Sequence, residues 1–75
     1  MEPTSSEKDI LEIVAYYKKA NNTLLSRKMA STTEYTNFLC KSLVKNDYLS
    51  RIGSGLYTLT LKGKAVVEKI KKWTL

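Results

Sequence analysis

The sequence predicts a small α+β domain with the order helix, short strand, helix, helix, two-stranded hairpin, helix. Three observations carry this. Thr4/Glu7 and Ser31/Glu34 are each a Ser/Thr followed three residues later by Glu, the pattern that satisfies free backbone N–H groups at a helix start. Two strand-like runs, residues 48–52 and 56–59, are separated by Gly53-Ser54-Gly55, which supplies the positive φ of a tight reversal. Gly63, Val66, Val67, Ile70, Trp73 and Thr74 then fall on one stripe of a last helix. At 75 residues the chain makes one domain with a modest core.

Taken in order, residues 1–5 are expected to be a disordered tail, and residues 6–75 the folded domain. The first helix is predicted over residues 6–20, with Ile10, Ile13, Val14, Tyr17 and Ala20 as its core stripe. Leu11 and Tyr16 lie off that stripe and are candidates for a partner surface. Asn21-Asn22 ends the helix, Thr23-Leu24-Leu25 reads as a very short extended segment, and Ser26 is placed to cap a short helix at 26–30. A third helix starts near Thr32 and ends at Asn46-Asp47. Two short helices joined across residues 30–32 have the proportion of a helix-turn-helix. In the third helix Tyr35, Phe38, Leu39, Ser42 and Leu43 form the apolar side. Thr33, Asn37 and Lys41, flanked by Glu34 and Lys45, form the polar one. On the hairpin Leu49, Tyr57 and Leu59 point inward. Thr60 caps the last helix, and Gly63 is expected to permit close approach to the first.

Composition excludes much. With no His and the single Cys40, the chain has neither an internal disulfide nor a plausible zinc set, so no metal and no cofactor are expected, and Cys40 reads as a small buried filler. No paired acids in a cleft and no activated nucleophile can be assembled, which argues against an enzyme. No run of about 18 apolar residues is present and no basic-then-apolar leader opens the chain, so a soluble cytoplasmic protein without membrane association is expected. No small-molecule pocket is evident. The net charge of +6 is unevenly spread: four of the seven acids lie in the first twelve residues, whereas from Lys18 onward twelve basic residues face three acidic ones. Such a field attracts polyanions.

The string Gly55-Leu56-Tyr57-Thr58-Leu59-Thr60-Leu61-Lys62-Gly63-Lys64 resembles the end of the wing in the winged-helix (winged helix-turn-helix) superfamily, where Tyr-x-Leu-Thr-x-x-Gly carries the return strand into the last helix. The resemblance extends over residues 10–70. It is strongest to the small transcriptional regulators of archaea and of crenarchaeal viruses and plasmids. It implies a DNA-binding transcriptional regulator with the third helix, residues 32–46, in the major groove and the wing, residues 49–59, on adjacent backbone or minor groove. Carried over by position, Thr32, Thr33, Thr36 and Asn37 become the base-reading residues. Arg27, Lys28, Lys41, Lys45, Arg51 and Ser54 become the backbone contacts. The short hairpin with Ser54 at its tip departs from the family's basic wings and implies a wing that grazes the duplex. The partners implied are double-stranded DNA and a second copy of the chain, through Leu11, Tyr16, Trp73 and Leu75. Without an Arg, the third helix lacks the usual guanine reader, so A·T-rich sites are expected. The alternative is a winged helix that docks on a protein assembly and reads no DNA.

Overall fold

In a computed structural model, residues 3–53 and 55–73 are described, the last four without their side chains. The elements are α1 (Ser5–Tyr17), β1 (Ala20–Asn21), α2 (Asn22–Met29), α3 (Thr33–Lys45), β2 (Leu49–Ile52), β3 (Leu56–Leu59) and α4 (Leu61–Trp73). The three strands form an antiparallel sheet in the order β1-β3-β2, with Ala20 opposite Tyr57 and Leu49 opposite Leu59. Three helices around one core, a hairpin wing and a closing helix make this a winged helix, as the string around Gly63 implied.

α1 begins one residue before the expected start. Thr4 Oγ1 accepts from Glu7 N–H and Glu7 Oε1 accepts from Thr4 N–H at 2.8 Å, so the predicted capping box is present and residues 4 and 5 belong to the helix's cap and first turn, not to a tail. The helix ends at Tyr17 instead of Ala20. Lys18 takes a positive φ of 71°, and Ala20 leaves the helix to pair with β3. Pairing partners distant in sequence override the local helical spacing here. The inward stripe of α1 is Glu7, Ile10, Leu11 and Val14, rotated from the predicted one: Leu11 is fully buried and Tyr17 stands 40% exposed.

α2 starts at Asn22, four residues before the predicted cap. Asn21 is the actual N-cap, its Oδ1 accepting from Leu24 N–H at 2.8 Å. Thr23, Leu24 and Leu25 are therefore helical, and Ser26 sits buried inside the helix with its hydroxyl donating to Asn22 Oδ1 at 3.0 Å.

The hairpin matches its predicted strands within one residue, because Gly53 and Gly55 adopt φ of 66° and 74° with open space around them. Thr60 caps α4 as expected, accepting from Gly63 N–H at 3.1 Å. The close approach at Gly63 is a different one. A Cβ on Gly63 would lie 2.2 Å from the Tyr48 carbonyl oxygen, so the glycine lets α4 sit against the α3–β2 connection, not against α1. Lys62 Nζ donates to Asn46 O at 3.1 Å and lies 4.7 Å from the Tyr48 ring centroid, tightening the same junction. Ile10, Leu11, Val14, Leu25, Leu39, Leu43, Leu49, Tyr57 and Val67 make up most of the buried core. Among the described residues no helix is long and apolar enough to cross a membrane, and no group of three potential metal ligands occurs.

Candidate nucleic-acid interface

The turn between α2 and α3 is built from hydroxyls and backbone. Ala30 closes α2 in the left-handed region, φ 54°, its N–H directed at the carbonyls of Ser26 and Arg27. Ser31 N–H returns to Ser26 O at 3.0 Å. The cap of α3 is Thr32, one residue after the predicted Ser31: its Oγ1 accepts from Tyr35 N–H at 3.1 Å. The Ser31/Glu34 capping box is thus not formed. The Ser31 hydroxyl instead shares a 2.9 Å hydrogen bond with that of Thr36. A three-residue link with both helices capped holds α3 at a defined angle to α2, the geometry of a helix-turn-helix.

The side of α3 that faces the core is Thr36, Leu39, Cys40 and Leu43. These positions have the same i, i+3, i+4, i+7 spacing as the predicted stripe but lie about one residue around the helix from it. Thr36 is fully buried, and its hydrogen bond to Ser31 removes the penalty of an unpaired hydroxyl in the core. It is therefore a structural residue and cannot read bases. Cys40 fills a wholly buried position, and burial pushes its thiol up to about 11.

The opposite side presents Glu34, Phe38, Lys41 and Lys45 to solvent, with Asn37 half-buried beside them and Thr33 exposed in the first turn. Phe38 was expected in the core and is 68% exposed. Tyr35, also expected inward, is exposed and lines a shallow groove with Ile13 and Met29 on the flank of α1 and α2. Of the remaining predicted contacts, Thr32 has its hydroxyl oxygen occupied as the cap. Arg27 and Lys28 are exposed in the last turn of α2, with Lys28 Nζ 5.6 Å from the Tyr17 ring centroid. Arg51 is exposed on β2, in register with Tyr57 of β3. Ser54 lies outside the described residues.

Among the candidates for a dimer surface, Leu11 is withdrawn: it has no exposed area and belongs to the core. Tyr16 is 79% exposed, its ring edge-on to Tyr17 at 4.9 Å between centroids. The side chains of Trp73 and Leu75 lie outside the described residues. A feature with no sequence signal is an open groove of about 440 Å³ between α1, β3 and α4, floored by Val14, Leu59 and Val67 and edged by Lys18, Lys19 and Lys64.

Phe38 is the exposed residue of α3 that hydrophobic spacing hid. The signal that could have found it is Ser31 and Thr36, five residues apart across a helix start, which can satisfy each other and so admit Thr36 to the core.

No family model and no curated protein matches the sequence. Solved structures do match in three dimensions. A transcriptional regulator from Thermotoga maritima superposes with a TM-score of 0.85 at 26% identity, covering 93% of this chain and 53% of the other. A MarR family protein from Bacillus stearothermophilus gives a TM-score of 0.88 at 19% identity, over 93% of this chain and 52% of its own. A mutant MarR from E. coli, complexed with operator DNA, gives 0.84 at 16% identity, over 92% and 54%. The chain thus spans about half the length of the structures it matches.

Proposed function

We propose that this domain is the DNA-reading part of a transcriptional regulator, with α3 in the major groove and the hairpin on the adjacent backbone. The observation that carries the reading is the outward side of α3, where Asn37, Phe38, Lys41 and Lys45 are presented next to a capped helix-turn-helix. In this reading Thr33 and Asn37 meet base edges, Asn through its amide to adenine and Thr through its hydroxyl or methyl. Lys41, Lys45 and Arg27 neutralise phosphates, joined by Arg51 from the wing. Lys28 stands close enough to the Tyr17 ring to share its charge between that ring and a phosphate. The net charge of +6 and the operator complex of the E. coli neighbour support the same assignment.

The reading includes a symmetric pair of copies on a palindromic site, for which the exposed Tyr16 offers one contact. Sedimentation with and without DNA checks it, and a monomer under both conditions removes the pair. The function itself is tested by titrating duplex DNA at increasing salt. Affinity is expected to fall with a log–log slope of several units as several phosphates are neutralised. Absence of binding at low salt eliminates the reading.

A further inference from the structure

We infer that Phe38 is a specificity-determining residue that reads the C5-methyl group of thymine. The inference rests on the DNA-binding reading above and names what part of a site the apolar centre of α3 recognises. α3 completes its core contacts with Thr36, Leu39, Cys40 and Leu43, so Phe38 has no packing role to fill, and 68% of it remains in water. Its neighbours on the helix surface are Glu34 one turn before, Asn37 beside it, and Lys41 and Lys45 one and two turns after. The ring is thus an apolar island among one carboxylate, one half-buried amide and two ammonium groups. It stands at the sixth residue of a thirteen-residue helix, within the part that meets bases when such a helix enters the groove. The major-groove edges of the four base pairs offer hydrogen-bond donors and acceptors at every position but only one apolar group, the thymine methyl, and Phe is among the side chains that contact it. A helix without Arg, with one half-buried amide and one exposed phenyl ring, is equipped for A·T pairs by two independent means. Asn37 takes the purine and Phe38 the methyl of a thymine within one base step.

The test uses a duplex selected by the wild-type chain from a random pool, in which each thymine in turn is replaced by deoxyuridine. This change removes one methyl and leaves pairing intact. Wild type is expected to lose about fourfold in affinity at one or two positions, the effect of burying one methyl group. Phe38→Ala is expected to bind the thymine and uracil duplexes alike, at the level wild type shows on uracil. Phe38→Leu, which keeps an apolar side chain on an exposed position, is expected to retain part of the discrimination. Thermal unfolding of both variants reports whether they fold. Indifference of the wild type to every replacement overturns the inference, as does discrimination that survives Phe38→Ala and disappears in Thr33→Ser. Failure of the wild type to bind any duplex removes the underlying DNA-binding reading, whereas binding without methyl discrimination removes this inference alone.

Discussion

Thr36 and Asn37 are consecutive polar residues on one helix, and the fold treats them as opposites. Thr36 is wholly buried with its hydroxyl bonded to Ser31, while Asn37 is half-buried on the flank of α3, next to its outer side. The inner side, with Leu39, Cys40 and Leu43, finds all its partners within the molecule. The outer side, with Phe38, Lys41 and Lys45, leaves its charges and most of the Phe38 ring in solvent. Residue type alone does not separate a buried, structural threonine from an asparagine left half-exposed. What separates them is whether a second polar group lies within reach inside the chain, as Ser31 does for Thr36. Stability thus belongs to the inner side of the helix and the DNA contacts proposed above to the outer one, and substitutions can test that division.

The largest effect is expected from Leu43→Ala, which removes a buried side chain and leaves a cavity, lowering unfolding free energy by about 2–5 kcal/mol in a denaturant titration. Residual DNA affinity should then track the folded fraction. Asn37→Ala is expected to cost about 1–3 kcal/mol in binding to the selected duplex and to relax preference at one base pair, with no change in melting temperature. If it destabilises the fold instead, the division between the two sides fails. Thr36→Val keeps shape and removes the hydroxyl, so a loss of about 1 kcal/mol in stability is expected, with base preference unchanged. Lys41→Ala should weaken binding to all duplexes alike and reduce the salt slope by about one, an effect that added salt shrinks further.

The smallest effect at neutral pH concerns Cys40, whose contribution changes only under alkaline conditions. Its thiol is raised by burial from 9.0 to about 11, and the Tyr57 hydroxyl is raised by burial, then by the nearby Cys40 and against the lowering effect of Arg51. In the unfolded chain the thiol ionises first, so its contribution to stability is complete below about pH 9 and is lost as pH rises toward 11. A mild fall in stability over that window is expected, and it should be reduced in Cys40→Ala. Native Cys40 should also resist alkylation at pH 8, reacting only as fast as the domain opens.

The order of elements was legible in the sequence because local chemistry states it. Thr4 with Glu7 starts α1, Gly53 and Gly55 turn the hairpin, and Thr60 starts α4 at the expected place. The rotation of α1 and α3 about their axes was not. In both helices hydrophobicity alone places a large aromatic side chain inward, Tyr17 or Phe38, yet the core uses Leu11 in α1 and Thr36 in α3, beside the Cys40 whose burial is expected from its type. Hydrophobicity ranks side chains singly, whereas packing selects sizes that fit together. β1 escaped for a related reason: Ala20 and Asn21 are a strand only because Tyr57 and Leu56 lie opposite, which no local pattern encodes. Of the candidate site, the polar residues Thr33, Asn37, Lys41 and Lys45 were placed outward from the sequence, while Thr36 and Leu11 were misassigned through these same rotations.

Gly63 bears on how such a domain can vary. With the Tyr48 carbonyl occupying the space of its missing methyl group, position 63 admits one residue, and replacement would push α4 off the α3–β2 connection. Positions 38, 41 and 45, exposed on α3, meet no such wall. Among descendants of this chain, the helix proposed above to read DNA is free to drift in its outward residues, while the site that holds it in place carries nearly the full information of a single permitted letter.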